Sequence, residues 1–257
     1  MVYTLREVIV YMDLIVQKFG GSSLKDINCL NKVADIIINE YENNKNVVVV
    51  VSAQGNMTNK LIEEEKEITK KADLREHDFL LSVGEQISAA KLSMFLQELG
   101  YEAIAYTAWQ LPIITNKKFG DADIIEINVK KIEKSLEENK IVIVTGFQGV
   151  DREFEITTLG RGGSDTTAVY LAHALNAKEC YIYTDVDGVY TEDPNKIGNN
   201  AKKLKHISYD NMLEMANNGA KVMHNKSIEI AKKYNVKIIV KSTFENTKEG
   251  TIISFNK

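Results

Sequence analysis

The sequence predicts an α/β fold whose mainly parallel sheet is covered by helices on both faces. Strand-like apolar runs alternate with helical patterns along the 257 residues, the order typical of parallel strands joined by crossover helices. The run Val47–Val51 consists only of valine, as expected for a strand buried on both faces. With 44% hydrophobic residues, the chain can bury a sizeable core. We therefore expect one domain over residues 13–257, after an N-terminal extension of unknown role at residues 1–12.

Hydrophobic periodicity and the positions of glycine and proline place the individual elements along the chain. Apolar residues with a helical period at Leu30, Val33 and Ile37 indicate the first helix. The segment Trp109–Thr115, which contains Pro112, is predicted to be a connecting loop. In chain order, we predict a strand at 14–16, a helix at 24–39, a strand at 47–51, helices at 61–71 and 79–99, a strand at 102–106, a helix at 130–139, a strand at 141–144, a helix at 168–175, a strand at 179–183, helices at 213–216 and after residue 219, and strands at 236–240 and 251–255.

Composition and charge exclude several classes of protein. The net charge is −4, from 32 basic and 36 acidic residues, so no broad nucleic-acid surface is indicated. Cys29 and Cys180 lie far apart, which argues against a zinc site or a disulfide scaffold and favours a reducing, cytoplasmic location. No apolar run approaches the length of a transmembrane helix. The four histidines are dispersed, and we predict no catalytic histidine.

The stretch Val16–Leu24, with the sequence VQKFGGSSL, is the most informative in the chain. Lys18 ends a strand, and Gly20 and Gly21 let the backbone approach a ligand closely. The exposed amides of such a turn, and of the helix that follows, can bind phosphate, to which Lys18 adds a mobile positive charge. The lysine precedes the glycines, so this is not the P-loop pattern. Taken alone, the stretch is equally compatible with a plain corner that carries a solvated lysine.

The next strand, Val47–Val51, ends in a loop rich in hydroxyl and amide groups at residues 52–59. Ligands of open α/β sheets bind beyond the carboxyl ends of the strands, so we expect this loop to face the Lys18 corner. Ser52 and Thr58 are candidates for either ligand contact or helix capping. Glu85 follows a glycine in apolar surroundings, where it either stabilises a helix N-terminus or holds a substrate ammonium group.

A second glycine-rich stretch, Thr157–Thr167, leads into a helix. Arg161 offers a planar guanidinium that matches a carboxylate. Asp165 is suited to hold an ammonium group, or to orient lysines and a metal-bound phosphate. Farther on, the strand at 179–183 ends in the loop Thr184–Tyr190, whose aromatic and polar groups suit the base and ribose of a nucleotide. Lys221 is expected near the start of a later helix.

Four of these blocks together resemble the catalytic domain of the aspartate kinase family, within the amino-acid kinase superfamily. They are KFGGSS at 18–23, TTLGRGGSD at 157–165, YTDVDGVYTEDP at 183–194 and GAKVMH at 219–224, supported by SVGE at 82–85 and VTGFQG at 144–149. The resemblance implies a three-layer αβα sandwich with an open, mainly parallel sheet of about eight strands. It also implies an amino-acid-binding lobe at about 13–170 and a nucleotide-binding lobe at about 171–257.

The implied reaction is transfer of a phosphoryl group from ATP, with Mg²⁺, to the side-chain carboxylate of L-aspartate, the first step toward lysine, threonine and methionine. Lys18 would contact the transferring group and Asp165 would organise the charges around the phosphates. Glu85 would bind the α-amino group and Arg161 the α-carboxylate, together with Ser52 and Thr58. The resemblance implies nucleotide contacts from Lys18, Gly20, Gly21, Ser22, Thr184, Asp185, Tyr190, Lys221 and Val222. Mg²⁺ would be held through the ATP phosphates, and no side chain is predicted as a metal ligand.

The chain departs from the family pattern at three places. Asn195 stands where many relatives have an arginine that contacts phosphate, and Asn225 stands where many have proline. The sequence also ends at Lys257, where typical family members continue into paired ACT domains that bind lysine or threonine. We therefore expect no feedback inhibition through such a module in this chain alone, unless a separate regulatory subunit supplies it. A homo-oligomer or such a subunit is the expected protein partner.

Two alternatives stay open at this point. The chain could be another amino-acid kinase that acts on a different small carboxylic acid, because the Glu85 and Arg161 pair does not by itself set the side-chain length of the substrate. It could also be a regulatory protein that binds a nucleotide or an amino acid without catalysis. Lys18, Arg161 and Asp165 are all present, which favours an enzyme.

Overall fold

The structure, a computed structural model, describes residues 13–43, 45–192, 201–219, 222–245 and 249–255. Its strands are β1 (Leu14–Phe19), β2 (Asn46–Val51), β3 (Ala103–Tyr106), β4 (Ile113–Thr115), β5 (Ile124–Ile127), β6 (Ile141–Thr145), β7 (Gln148–Val150), β8 (Ile156–Thr158), β9 (Glu179–Thr184), β10 (His206–Ser208), β11 (Ile238–Ser242) and β12 (Thr251–Ser254). Its helices are α1 (Ile27–Glu42), α2 (Met57–Ile68), α3 (Leu74–Leu81), α4 (Val83–Glu98), α5 (Lys130–Glu137), α6 (Gly163–Ala174), α7 (Tyr209–Asn217) and α8 (Asn225–Tyr234).

The main sheet has eight strands in the order β10-β12-β11-β9-β1-β2-β6-β3. Neighbouring strands are parallel except for β11 and β12, so β10 and β12 run opposite to the other six. The prediction of a mainly parallel sheet of about eight strands is confirmed. All five residues of Val47–Val51 are at most 1% exposed, as the valine run predicted.

Alternate residues of the central strand β1 enter two separate cores. Ile15 and Phe19 join the core under α1 and α4, whereas Leu14 and Val16 join the core on the opposite face, which α5, α6, α7 and α8 cover. These two cores and the sheet between them form a three-layer αβα sandwich. Within the described residues, no helix is both long enough and apolar enough to span a membrane.

A second, four-stranded sheet in the order β5-β4-β7-β8 was missed by the sequence-based prediction. The segment predicted as a loop, Trp109–Thr115, contains β4, and that part of the prediction is wrong. β4, β7 and β8 have three residues each, too few for a period of two to be recognised. The sheet is held partly by polar contacts, such as the buried hydrogen bond of 2.6 Å between the hydroxyls of Thr115 and Thr157.

Several helix boundaries also differ from the prediction. The helix expected at 61–71 is α2, which ends at Ile68, and the helix expected to begin at residue 79 is divided into α3 and α4 around Ser82. The helix expected at 168–175 begins five residues earlier, at Gly163, because Gly162 adopts a left-handed conformation with φ of 72° at the N-cap position. This earlier start places Asp165 in the first turn of α6.

The register of the central strands determines where the predicted site residues meet. Lys18 pairs with Val50 of β2 and with Ile182 of β9, and both neighbours are parallel to β1. The carboxyl ends of β1, β2, β6, β9 and β11 therefore lie along one edge of the sheet. The loops that follow these strands are cross-linked there by backbone hydrogen bonds, such as Gly146 N–H to Val51 O (3.0 Å) and Thr243 N–H to Thr184 O (2.9 Å).

Candidate active site

An ion pair between Lys18 and Asp165 lies at this edge of the sheet. Lys18 Nζ is 2.7 Å from Asp165 Oδ1, and the two side chains are only 12% and 10% exposed. β1 supplies the lysine, and the first turn of α6 supplies the aspartate. Removing one partner of an ion pair buried to this degree strongly destabilises a protein, because the other charge is left buried without a partner. Lys18 and Asp165 therefore stabilise each other in this position.

The glycine corner after β1 is joined to the loop after β2. Ser52 N–H donates to Phe19 O at 3.1 Å, and Gly55 N–H donates to Gly21 O at 2.9 Å. A Cβ atom on Gly21 would lie 2.6 Å from Ala53 O, so only glycine allows this approach. The predicted proximity of the loop at 52–59 to the Lys18 corner is therefore seen in the structure.

The corner itself differs from the prediction in detail. A 3₁₀ turn, Gly21–Leu24, follows β1, and α1 begins only at Ile27. The N-terminus of α1 is already capped, because Asp26 Oδ1 accepts from Cys29 N–H at 2.9 Å. An anion at the corner would thus meet the 3₁₀ turn, where Ser22 is exposed, rather than the start of α1. The Gly20 N–H donates to Tyr183 O at 3.3 Å.

Glu85 is 3% exposed and lies in the first turn of α4. Its Oε1 accepts from Ala53 N–H at 2.9 Å, while its Oε2 is buried with no hydrogen-bond partner among the described residues. Burial raises the pKa of Glu85 to about 8, against which the Ala53 hydrogen bond acts. A buried acceptor without a donor is costly, so this oxygen is suited to receive a cationic donor.

Arg161 lies between β8 and α6 and is exposed, without an ion pair to any residue that the structure describes. Gly160 and Gly162, on either side, have left-handed φ values of 71° and 72°. A Cβ atom on Gly162 would lie 2.3 Å from that of His224, so this loop packs directly on the segment before α8. The guanidinium is therefore presented to solvent from a tightly constrained turn.

Ser52 follows β2, and Thr58 is the second residue of α2. The N-cap residue of α2 is Asn56, whose side chain makes no capping hydrogen bond, so the capping alternative for Thr58 is not supported. Both side chains are half-buried, Ser52 on the loop that contacts the glycine corner and Thr58 in the helix that follows that loop. Their predicted role in ligand binding stays a prediction.

Of the candidate nucleotide residues, Thr184 is the last residue of β9, and Asp185 and Tyr190 lie in the loop that follows. Tyr190 donates its hydroxyl to Asp187 Oδ1 at 2.7 Å, and Lys203 Nζ lies 3.3 Å from Asp187 Oδ2. These contacts order the loop beyond the sheet edge. Val222 is half-buried next to Met223, whereas Lys221 and Asn195 lie outside the described residues, as do residues 1–12.

Sequence reasoning missed Asp78 and Gln148, which are both fully buried close to this edge. Asp78 accepts three hydrogen bonds from Thr158 and Gly120, and Gln148 donates to Ser82 O at 2.8 Å. Their partners are up to 80 residues away in sequence, so no local pattern announces them. Gln148 lies inside the VTGFQG block, which was the one available signal.

The fold and the site together define a class: a three-layer α/β protein with paired charges and glycine-rich turns at the carboxyl ends of its parallel strands. The chain belongs to the amino acid kinase family, whose model matches residues 13–242.

Individual relatives agree with this assignment. The chain is 53% identical over 242 residues to the aspartokinase of Bacillus sp. (strain MGA3). The aligned region covers 94% of this chain and 58% of that protein. The aspartate kinase of Synechocystis matches its structure with a TM-score of 0.83 at 42% identity, over 95% of this chain and 40% of the other. E. coli aspartokinase III, solved in complex with aspartate and ADP, matches with a TM-score of 0.85 at 29% identity, over 95% and 65% of the two chains. The chain thus spans little more than half the length of the Bacillus relative.

Proposed function

We propose that this chain phosphorylates the side-chain carboxylate of L-aspartate with ATP, yielding 4-phospho-L-aspartate and ADP. The observation that carries the proposal is the buried Lys18–Asp165 ion pair at the carboxyl end of β1. It lies in a chain whose curated relatives, at about 50% identity, are aspartokinases. A solved relative contains both aspartate and ADP, which supports the same pair of ligands for this chain.

The proposed chemistry needs no strong general base. The acceptor carboxylate is ionised at neutral pH, and its oxygen attacks the γ-phosphorus in line while the bond to the bridging β–γ oxygen breaks. Catalysis then rests on positioning and on neutralising charge at the phosphoryl oxygens. Lys18 supplies the positive charge, and Asp165 holds its ammonium group at the strand end.

Glu85 and Arg161 define the two ends of the proposed amino-acid site. The unpartnered Glu85 Oε2 would accept from the α-ammonium group, and the Arg161 guanidinium would pair with the α-carboxylate. Ser52, on the loop after β2, and Thr58, in the first turn of α2, would also contact the ligand. These assignments orient the side-chain carboxylate of aspartate toward Lys18.

ATP would lie beyond β9 and the segment before α8, with contacts from Gly20, Gly21, Ser22, Thr184, Asp185, Tyr190, Lys221 and Val222. We expect Mg²⁺ to enter with ATP, held mainly by the phosphates, because it prefers oxygen ligands and commonly takes one or two carboxylates beside substrate phosphates. The donors at this edge fit such an ion, since Asp165 is a carboxylate and Ser22 and Thr184 carry hydroxyl groups. When bound, the ion would neutralise charge on the phosphoryl oxygens.

We further place this activity in the cytoplasm, which the two buried, unpaired cysteines Cys29 and Cys180 support. A second copy of the chain or a separate regulatory subunit is the proposed protein partner.

The deciding experiment measures ADP release with Mg-ATP across a panel of aspartate, glutamate and related acids, with hydroxylamine present to trap an acyl phosphate. Aspartate-dependent hydroxamate is the expected result. Hydroxamate formed from a different acid would show that the chain phosphorylates that acid, as another enzyme of this family. ATP binding without hydroxamate from any acid would overturn the proposal in favour of a binding protein.

A further inference from the structure

We propose that Asp78 and Gln148 are positioning residues that hold Glu85 and Arg161 at the separation that the α-ammonium and α-carboxylate groups of the amino acid require. The inference rests on the proposed function and adds two residues to it. Neither side chain touches the proposed substrate, so each acts through the backbone that it holds.

Asp78 ties helix α3 to the end of strand β8. Its Oδ2 accepts from Thr158 N–H at 2.8 Å and from Gly120 N–H at 2.9 Å, and its Oδ1 accepts from the Thr158 hydroxyl at 2.7 Å. The residue is fully buried. Burial raises the pKa of Asp78, while the three donated hydrogen bonds act against that rise. A carboxylate that accepts from two backbone N–H groups and one hydroxyl fixes the distance between α3 and the end of β8.

Gln148 makes a second connection between the α3–α4 helical segment and the β7–β8 hairpin. It lies on β7, fully buried, and its Nε2 donates to Ser82 O at 2.8 Å, at the junction of α3 and α4. Ser82 keeps helical dihedrals (φ −60°, ψ −20°), so the backbone runs almost continuously from α3 into α4. On a helix, residues four apart lie one above the other, so Asp78 and Ser82 share one face.

The two links match each other in geometry. Gln148 and Thr158 are directly opposite each other in the β7–β8 ladder, as cross-strand partners about 5 Å apart. Residues four apart on a helix are separated by about the same distance. Two residues one helical turn apart, Asp78 and Ser82, are therefore connected by buried hydrogen bonds to the cross-strand pair Thr158 and Gln148.

The two proposed ligand-binding residues, Glu85 and Arg161, lie shortly after the segments that Asp78 and Gln148 connect. Glu85 follows Ser82 by three residues, on the same helical face, and Arg161 follows Thr158 by three residues. Gly160, next to Arg161, also packs against residues 120 and 121, which the Asp78 hydrogen bond to Gly120 holds in place. A shift of α3 and α4 relative to the β7–β8 hairpin would thus change the distance between the Glu85 carboxylate and the Arg161 guanidinium.

The test compares Asp78→Asn and Gln148→Leu with Thr115→Val. The control variant also loses a buried hydrogen bond, within the small sheet, but that bond does not reach α3 or α4. We expect KM for aspartate to rise about tenfold in both test variants, because small displacements of binding groups are costly in activity. KM for ATP should change less than about twofold. Thr115→Val should lower the melting temperature and leave both KM values unchanged.

A variant pair at Thr158 keeps the idea testable if Asp78→Asn does not fold. Thr158→Val removes only the hydroxyl bond to Asp78 Oδ1, whereas Thr158→Ser preserves it. We expect a raised KM for aspartate in the valine variant and a wild-type value in the serine variant. Test variants that melt at a lower temperature but retain the wild-type KM for aspartate would reduce both residues to structural roles. Wild-type protein that makes no hydroxamate from any acid would instead remove the proposed function, and this inference with it.

Discussion

Lys18 Nζ lies 2.7 Å from Asp165 Oδ1, although the two residues are 147 positions apart in the chain. β1 and the first turn of α6 bring them together at the edge where the loops after β2 and β9 also converge. The pair is charged, largely buried and adjacent to glycine turns. That combination is suited to stabilise a phosphoryl group in transfer.

Replacing Lys18 by methionine should lower kcat about 10²–10³-fold, because the charge that stabilises the transferring group is lost. It should also destabilise the fold by about 3 kcal/mol, since Asp165 is left buried without its partner. A coupled ADP assay and thermal unfolding measure the two effects. The double variant Lys18→Met/Asp165→Asn should regain stability but not activity.

Lys25→Met, a change of an exposed lysine after the same corner, is the matched control and should leave both quantities unchanged. Turnover within about tenfold of wild type in Lys18→Met would contradict the assigned role.

Glu85→Gln should raise stability while it weakens aspartate binding. Burial raises the pKa of Glu85 to about 8, above its ordinary value of 4.5. The folded state therefore retains a proton that the unfolded state loses, and stability falls as the pH rises from about 4.5 to about 8. Glutamine cannot ionise, so the variant should be more stable than wild type at pH 8, by on the order of 2–4 kcal/mol. Urea unfolding at pH 5 and pH 8 measures the difference.

The same carboxyl group should give aspartate binding a pH dependence. An ammonium ligand requires ionised Glu85, so kcat/KM for aspartate should rise from pH 6 to about 8 and then level off. Glu85→Gln should lower kcat/KM and flatten that rise. Glu98→Gln, at the exposed far end of α4, should keep the wild-type profile. An unchanged profile in Glu85→Gln would assign the ionisation to another group.

Arg161→Ala should raise KM for aspartate strongly and KM for ATP little. Removing a hydrogen-bonded partner of a charged group typically costs about 1.5–3 kcal/mol, or at least tenfold in affinity. Arg152→Ala, which changes an exposed arginine on the neighbouring β7–β8 turn, is the control and should behave as wild type. A larger effect on ATP than on aspartate would refute the position assigned to the α-carboxylate.

The two glycines of the corner should respond differently to alanine. A Cβ atom on Gly21 would lie 2.6 Å from Ala53 O and 3.0 Å from Gly55 O, and these backbone atoms cannot rotate away. Gly21→Ala should therefore destabilise the protein by about 1–3 kcal/mol and raise KM for aspartate by displacing the loop that carries Ser52. On Gly20 the nearest atom would be Lys18 Nζ at 3.6 Å, an ordinary contact, so Gly20→Ala should keep wild-type stability. Equal losses in chemical denaturation would show that the close approach at Gly21 does not matter.

The sequence by itself determined the layered α/β fold and the main candidate residues. Strand burial was readable because Val47–Val51 is apolar at every position, and helices such as α1 were readable from their period. Motifs such as KFGGSS are contiguous, so the chemistry of Lys18 and its glycines could be recognised before any packing was known. These are local properties, set by neighbours within a few residues.

Only the tertiary structure decided how distant segments are joined. Three of the four strands of the small sheet have only three residues, and their pairing depends on partners elsewhere in the chain. Asp78 and Gln148 have partners 80 and 66 residues away. Asp78 lies in no recognisable pattern, and the VTGFQG block that contains Gln148 does not show which residue it contacts. Glu85 looked like a glutamate at a helix start, and only its burial in the folded chain raises its pKa, against the lowering effect of the Ala53 hydrogen bond. Long-range contacts and desolvation arise when the layers pack, so no local stretch of sequence contains them.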